Sequence, residues 1–297
     1  MYYLLIGILY PLSLLPLRVL YLLSDLMYVL VYHVAGYRRA VVADNLMHAF
    51  PEKSDAERKA IKKRFYRSFC DQWVELIKLI SISERQLQRR VTGNWQLIKD
   101  LYADDRDIYM MLGHTFNWEW VNVAVQYNSP HQVAGVYMPT KNPAMDRLIN
   151  YARSRGGGWL ISMKAKKGFQ RLQGTRHIVG LIADQNPSNM NGALWLPFMH
   201  REAPFFKGPE QLATRAKAAV VFCGIRKVKR GHYAVDMQLL TKDASTMASG
   251  EVIKSYVTFM EQQLNDQPEN WLWTHKRWKH SKEIQNAKAQ SPKEPAN

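Results

Sequence analysis

The chain of 297 residues is long enough to bury a full core, as one large domain or as one domain with an appended segment. Its 41 Lys and Arg against 25 Asp and Glu give a formal charge of +16, which favours an anionic partner: a nucleic acid, an acidic membrane surface or an acidic carrier protein. The two cysteines, Cys70 and Cys223, lie far apart, which fits a reducing compartment and excludes a disulfide framework and a zinc site of the usual kind.

The first 36 residues are apolar and predict a membrane-associating segment. Residues 1–17 carry no charge, and Arg18 and Asp25 are the only charged side chains before Arg38. As a helix, the uncharged run would span only ~26 Å, slightly less than the ~30 Å hydrocarbon core of a bilayer. Pro11 and Pro16 are expected to interrupt it, so a clean single span is not the favoured interpretation.

We therefore expect a pair of apolar helices seated in or against the inner face of a membrane. Arg38 and Arg39, which follow, suit anionic headgroups on the cytoplasmic side. A signal peptide fits poorly, because the apolar stretch has no basic residues before it and no small-residue cleavage site after it. The alternative is a hairpin buried in a soluble core.

Residues 54–80 predict a long amphipathic helix. Ser54 is a suitable N-cap, and Glu57, three residues later, completes a capping box. The first half of the helix is strongly basic. That face is either simply solvated or in contact with the membrane.

From residue 108 onward, short apolar runs alternate with helical patterns. The predicted strands are residues 108–112, 133–137, 159–161, 178–183, 219–225 and 233–237. The predicted helices are residues 118–127, 143–153, 168–172, 209–217 and 251–264. This alternation predicts an α/β fold, a sheet flanked by helices.

A candidate base follows the first of these strands. Gly113 closes the apolar run, His114 is placed on the strand-to-helix turn, and Asn117 can start a helix that has Glu119 in its first turn. In this geometry the imidazole can take a proton from an attacking hydroxyl while the carboxylate fixes its tautomer. No obvious nucleophile lies nearby, which favours direct acyl transfer to a substrate hydroxyl. The alternative is a loop histidine and a solvated glutamate.

Asp184 and Gln185 come directly after another predicted strand. They are therefore expected at the same carboxyl edge of the sheet as His114. They either orient an acceptor or its polar headgroup, or Asp184 merely caps a helix or forms a turn. We expect no metal and no cofactor, because the chain has no metal-ligand spacing and no phosphate-binding glycine loop; the triplet of glycines at 156–158 is interpreted as a flexible turn.

Residues 271–279 interleave tryptophans with basic side chains. The pattern is compatible with an interfacial belt or a nucleic-acid stacking patch. We favour instead the packing of Trp271 and Trp273 on the core. Lys276, Arg277 and Lys279 are then candidate contacts for phosphates of an acceptor or for an acidic carrier protein.

Several segments together resemble the late acyltransferases of lipid A biosynthesis, a branch of the glycerolipid acyltransferases that share a His-x4-Asp/Glu motif. The resemblance runs from the N-terminus to about Lys279. It is carried by Asn45 and Leu46 with Phe50 and Pro51, by residues 114–119, 135–143 and 183–185, by Gly208, by Arg226 with residues 231–233, and by residues 271–279. The fold that it implies has a central mixed sheet flanked by helices and an apolar helical membrane anchor at the N-terminus.

The resemblance implies that His114, oriented by Glu119, deprotonates the hydroxyl of a 3-hydroxyacyl chain on a lipid A precursor. This hydroxyl attacks the thioester of an acyl-acyl carrier protein. Substrate contacts are expected at Asp184, Gln185, Gly208 and Arg226, and a backbone amide at the start of the following helix is a candidate oxyanion donor.

One departure from the family pattern concerns an arginine. Met138 stands where family members often carry Arg, so the role of that Arg cannot be transferred to this position. Arg153 or Arg155 is a candidate substitute, and the alternative is an ordinary surface charge.

The expected organisation is a membrane-associating segment at 1–36, an acyltransferase domain at 37–281 and a disordered tail at 282–297. The expected location is the inner membrane, with the catalytic domain on its cytoplasmic side and a lipid acceptor in the membrane. A nucleic-acid partner is not expected, because no nucleic-acid-binding motif occurs. The alternatives are an O-acyltransferase of another membrane lipid, such as an aminolipid or lysophospholipid, a hydrolase, and a noncatalytic basic protein that binds membranes or nucleic acid.

Overall fold

The computed structural model describes residues 2–165, 167–190 and 192–281, so the tail predicted to be disordered lies outside the described residues. The α-helices are α1 (Tyr2–Leu14), α2 (Leu17–Tyr28), α3 (Arg39–Ala49), α4 (Asp55–Leu79), α5 (Glu84–Gln88), α6 (Gln96–Ala103), α7 (Trp118–Asn128), α8 (Pro143–Arg153), α9 (Gly208–Ala216) and α10 (Glu251–Asp266). The strands are β1 (Val91–Gly93), β2 (Ile108–Leu112), β3 (Gln132–Tyr137), β4 (Trp159–Ser162), β5 (His177–Ile182), β6 (Leu194–Phe198), β7 (Arg201–Phe205), β8 (Ala219–Lys229) and β9 (His232–Thr241). A π-helical turn at Val29–Val34 extends α2, and 3₁₀ turns occur at Gly168–Leu172 and Ala244–Thr246.

Seven strands form one central sheet in the order β1-β9-β8-β2-β5-β3-β4. Neighbours are parallel except for β8 and β9, which form an antiparallel hairpin. The predicted mixed sheet flanked by helices is therefore confirmed. All five residues of β2 are buried, as expected for a parallel strand covered on both faces. Strands β6 and β7 form a separate antiparallel hairpin.

The register between β2 and β5 determines where the functional turns meet. Leu112 lies opposite Ile182 in this parallel pair. The residues that follow each strand therefore leave the sheet at the same edge. This brings His114 and Asp184 together although they are 70 positions apart in the chain.

Helix α4 begins as the sequence predicts. The Ser54 hydroxyl accepts a hydrogen bond from the Glu57 amide, and the Glu57 carboxylate accepts one from the Ser54 amide, which completes the capping box. The helix buries Ile61, Phe65 and Val74 among its apolar residues and packs against α2. It thereby connects the N-terminal helices to the rest of the fold.

Two apolar helices, α1 and α2, occupy the N-terminal segment. Pro16 lies at the break between them, as predicted, but Pro11 lies within α1, so the expected interruption at Pro11 is wrong. In the described part of the chain, Leu17–Val34 is the helical stretch that is long and apolar enough to cross a membrane, and 28% of it is buried. Large apolar side chains of both helices, among them Leu4 and Leu22, face outward.

Candidate active site

The turn that carries His114 joins β2 to α7 and is tightly packed. The Tyr256 hydroxyl donates to the Leu112 carbonyl oxygen at 2.8 Å. A Cβ atom at Gly113 would lie 2.8 Å from the Met260 sulfur and 3.2 Å from Oδ2 of Asp184. A side chain at this position would therefore displace the end of the Met260 side chain and press on the Asp184 carboxylate.

The imidazole of His114 is held by a buried carboxylate. Its Nδ1 lies 2.6 Å from Oδ1 of Asp184, and the His114 backbone N–H donates to Oδ2 at 2.8 Å. The indole Nε1 of Trp271 also donates to Oδ2, at 2.5 Å. The Asp184 side chain is 1% exposed and the His114 side chain 20%. The carboxylate is therefore fixed, while the imidazole is partly exposed to solvent.

Asp184 is ionised in this site. Burial by itself would raise its pKa, but attraction to His114 and the hydrogen bonds from His114 and Trp271 outweigh burial and lower the pKa to about 2. An ionised carboxylate accepts a hydrogen bond from Nδ1–H of His114, and in the neutral imidazole that tautomer has its lone pair on Nε2. The side-chain amide of Gln185 lies 3.2 Å from that Nε2 atom, so it is placed to donate to it.

Glu119 is not the partner of His114 in this structure, in contrast to the prediction. Its Oε2 and Oε1 accept hydrogen bonds from Nε and Nη2 of Arg153 at 2.8 Å and 2.6 Å. Both oxygens are engaged in this buried two-pronged ion pair. The carboxylate on the imidazole is that of Asp184, for which the sequence predicted either acceptor contact or a capping role.

The two arginines proposed as substitutes for the missing family Arg both make intramolecular contacts. Arg153 pairs with Glu119, and Nη1 of Arg155 donates to two carbonyls at the carboxyl end of α4. The Gln126 side chain binds the loop that follows Arg153: Nε2 donates to the Arg153 carbonyl, and Oε1 accepts from the amides of Gly156 and Gly158. The predicted flexible turn is thus clamped by Gln126.

The predicted amide donor at the start of α7 is already in use. Oδ1 of Asn117 accepts from the amides of Glu119 and Trp120, both at 3.1 Å. The Trp118 amide donates to the Thr115 carbonyl. These three amides are occupied by the acceptors at the start of the helix and are not free to stabilise an oxyanion, so this expectation is wrong for the conformation described.

The remaining predicted contact residues lie apart from this cluster. Gly208 is the first residue of α9, and Arg226 is exposed on β8. None of the hydrogen bonds found among the described residues links either of them to His114 or Asp184. Of the predicted substrate contacts, Asp184 and Gln185 are the two whose side chains reach the imidazole in the described part of the chain.

The C-terminal segment covers the buried side of the site. Trp271 and Trp273 are buried, as predicted. Arg277 is also fully buried: it donates to Oδ1 of Asn186 and to the Pro204 carbonyl, and it lies over the Phe205 ring. Burial lowers the pKa of Arg277 to about 10. The expectation that it contacts phosphates is therefore wrong for Arg277.

Trp271 makes a contact that its sequence pattern did not reveal, since its indole N–H donates a hydrogen bond to Asp184, the residue that binds the His114 imidazole. The alternation of tryptophan and basic residues indicated only that the tryptophans pack on the core. Within the described ranges, no group of three or more His, Cys, Asp or Glu side chains is arranged to bind a metal ion.

Comparison with known proteins places this chain in a family. The sequence model of the bacterial lipid A biosynthesis acyltransferases matches residues 1–280. The chain belongs to this family. It is an acyltransferase that acts on lipid A, and the resemblance inferred from its motifs is confirmed.

Two characterised relatives agree with this assignment. The chain is 25% identical over 278 residues to the lipid A biosynthesis lauroyltransferase of Escherichia coli (strain K12). The aligned region covers 92% of this chain and 90% of that protein. It is also 25% identical over 126 residues to lipid A biosynthesis acyltransferase 2 of Shigella flexneri, over 42% of this chain and 39% of that protein.

Proposed function

We propose that this acyltransferase moves a fatty acyl chain from acyl-acyl carrier protein to the hydroxyl of a 3-hydroxyacyl chain on a lipid A precursor, with His114 as the general base. The observation that carries the proposal is the 2.6 Å contact between Nδ1 of His114 and the buried Asp184 carboxylate. It leaves Nε2 as the basic atom on the open side of the ring.

In the proposed reaction, the acceptor hydroxyl first hydrogen-bonds to Nε2 of His114. Its proton moves to Nε2 as its oxygen bonds to the thioester carbon. The tetrahedral intermediate then collapses, the carbon–sulfur bond breaks, and the imidazolium returns the proton to the departing thiolate. Asp184 stabilises the imidazolium between these steps. The products are an acyloxyacyl ester and the free carrier thiol.

Gln185 is proposed to orient the acceptor. Its amide occupies the position at Nε2 that the hydroxyl must take, so we expect it to move aside and donate to an oxygen of the substrate. Its backbone neighbour Asp184 is rigidly held, which limits that motion to the Gln185 side chain. No cofactor is needed in this scheme.

Glu119 is proposed to act through Arg153. The pair places a partly buried guanidinium beside the first turn of α7, the turn that follows His114 in the chain. A fixed positive charge near a developing oxyanion lowers the energy of the transition state. Arg155 is proposed to set the position of the same loop through its contacts to the end of α4.

The enzyme is proposed to work at the cytoplasmic side of the inner membrane. The outward apolar side chains of α1 and α2 suit a lipid environment, and that position gives access to both a soluble donor and a lipid acceptor. Arg226, Lys276 and Lys279 are exposed cations that suit the phosphates of the acceptor or an acidic carrier protein. Gly208 is proposed to leave room for a substrate, since no atom lies within 4 Å of a Cβ at that position.

The test is mass spectrometry of lipid A and polar lipids from a strain without the gene, complemented with wild type or with His114→Ala. We expect one secondary acyl chain to be absent from lipid A and to be restored only by wild type. Unchanged lipid A together with an acyl group missing from another lipid would overturn the proposed acceptor. Full restoration by His114→Ala would overturn the proposed base.

The donor is tested separately with purified enzyme. Acyl-acyl carrier protein and acyl-coenzyme A are supplied in turn with the lipid A precursor isolated from the deletion strain. Faster transfer from the carrier protein is expected, because it is the acidic partner that suits the exposed cations. Equal or faster transfer from coenzyme A would overturn the proposed donor.

A further inference from the structure

A fully buried glutamate, Glu75 on α4, lies directly beneath the catalytic turn. Its Oε2 accepts hydrogen bonds from Nδ2 of Asn117 at 2.8 Å and from the Tyr233 hydroxyl at 2.6 Å. Its Oε1 accepts from the Tyr21 hydroxyl at 2.8 Å. One carboxylate thus joins the residue that caps α7, a residue of strand β9 and a residue of the apolar helix α2.

This carboxylate is costly to bury, and burial raises its pKa. Burial of a carboxylate is tolerated when its oxygens are satisfied, and here three donors from three separate elements satisfy them. The backbone of Glu75 is engaged as well, since Nε1 of Trp120 donates to its carbonyl oxygen at 2.8 Å. Glu75 therefore contacts α7 through both its side chain and its backbone.

Asn117 transmits the position of Glu75 to the catalytic turn. Its Nδ2 donates to Glu75 while its Oδ1 accepts from the first amides of α7. A rotation of this amide would break both sets of hydrogen bonds, so Glu75 determines its orientation. The next residue, Trp118, packs edge to face on the His114 ring at 5.2 Å between centroids. A displaced Asn117 would therefore displace His114 relative to Asp184.

A second buried carboxylate on α4 provides a contrast. Asp71, one turn before Glu75, accepts from the Ser24 hydroxyl of α2 at 2.8 Å and pairs with Lys227 and Arg230 near the β8–β9 turn. It joins α2 to the hairpin much as Glu75 does. None of the contacts found for it among the described residues reaches the catalytic turn.

We propose that Glu75 is a positioning residue for acyl transfer, and that through the Tyr21–Glu75–Asn117 chain of hydrogen bonds the apolar helix α2 forms part of the active-site framework. The proposal rests on the proposed role of His114 as the base. It means that α2 does more than attach the enzyme to a membrane: its seating against α4 sets the orientation of the turn that carries His114.

The experiment compares four variants of the full-length enzyme in detergent: Glu75→Ala, Glu75→Gln, Tyr21→Phe and the matched control Asp71→Asn. For each, kcat and KM for the acyl donor are measured together with the thermal midpoint of unfolding. A misplacement of about 1 Å costs about 10²-fold in rate, so we expect Glu75→Ala to lower kcat by about 10²-fold with little change in KM.

Glu75→Gln retains an oxygen that can accept a hydrogen bond from Asn117, so we expect its kcat to be about tenfold higher than that of Glu75→Ala. Tyr21→Phe removes one hydrogen bond from the opposite oxygen, and we expect about a threefold lower kcat. Asp71→Asn should lower the unfolding midpoint as much as Glu75→Gln does but leave kcat within about twofold of wild type, because it does not touch the turn.

Two results would overturn the proposal: kcat that falls in proportion to the unfolding midpoint across all four variants, or an Asp71→Asn enzyme as impaired in kcat as Glu75→Gln. If Glu75→Ala does not fold, the proposal is tested with Tyr21→Phe and Tyr233→Phe, since each leaves the Glu75 carboxylate in place. An unchanged kcat in both variants would overturn the proposal. A His114→Ala enzyme with full activity would instead refute the proposed base, whatever the Glu75 variants show.

Discussion

Two buried carboxylates flank the turn that carries His114, and they differ in the groups that they bind. Asp184 accepts two hydrogen bonds from His114, one from the imidazole and one from the backbone, and a third from Trp271. Both carboxylate oxygens of Glu119, only five positions from His114, accept hydrogen bonds from Arg153. Glu119, which is near His114 in sequence, thus binds Arg153, whereas Asp184, which is distant in sequence, binds the imidazole. The reason is the register of β2 and β5, which places Asp184 beside His114.

The largest effect expected from this arrangement follows loss of the imidazole itself. His114→Ala removes the proposed base. General base catalysis contributes about 10²–10⁴-fold to rate, so we expect kcat/KM to decrease by a factor near the upper end of that range. Transfer of radiolabelled acyl chains to the lipid acceptor measures it. The control is His200→Asn, an exposed histidine at a left-handed position that Asn tolerates, and it should stay at wild-type activity.

The comparison between the two acids is tested by neutral substitutions of similar shape. Asp184→Asn keeps the size of the side chain but stabilises the imidazolium less and can select the wrong tautomer, so we expect kcat to fall about 10²–10³-fold. Glu119→Gln should reduce kcat by only about tenfold, since it acts through Arg153. A greater loss in Glu119→Gln than in Asp184→Asn would reverse the ranking drawn here.

The contact between Glu119 and Arg153 is tested by a double-mutant cycle on stability. Arg153→Met leaves the buried Glu119 charge unpaired, which should lower the free energy of unfolding by about 3 kcal/mol. Glu119→Gln should lower it by less, because the Arg153 side chain is 24% exposed. The double variant should lose much less than the sum of the two. Urea titrations followed by circular dichroism give the three values, and simple additivity would show that the pair is not coupled.

The smallest expected effect is the pH dependence of stability that Asp184 confers. Its pKa in the folded protein is about 2, below its ordinary value, so its contribution is fully present above about pH 4 and is lost as the pH falls towards 2. The shift corresponds to about 2 kcal/mol. We expect wild type and Asp184→Asn to differ by that amount in unfolding free energy at pH 6 and to converge near pH 2. A constant difference across this range would contradict the ionised state assigned to Asp184.

Much of the fold could be predicted from local signals. The capping box fixes the start of α4, and β2 and α8 have the bounds that the sequence indicates, because apolar runs and helix-start residues act over a few positions. The β6–β7 hairpin could not be predicted. Its turn places Met199 and His200 at positive φ, without the Gly or Asn that ordinarily marks such a turn.

The site was predictable in part. The sequence placed His114 and Asp184 at one edge of the sheet, which the structure confirms. It could not assign the partner of each acid, because the register between β2 and β5 and the position of Arg153 at the end of α8 depend on contacts far apart in the chain. Pairing by sequence spacing therefore selected Glu119 for the role that Asp184 has in the structure.

The close approach of Gly113 to Met260 has a consequence for how this enzyme can vary. The end of the Met260 side chain on α10 fills the space where a side chain at 113 would project, so a larger residue at 113 requires that methionine to move or to be smaller. Gly113→Ala alone should be poorly tolerated, whereas the same change combined with Met260→Ala has room to fold. The residues permitted in the turn that carries His114 thus depend partly on a helix far away in the sequence.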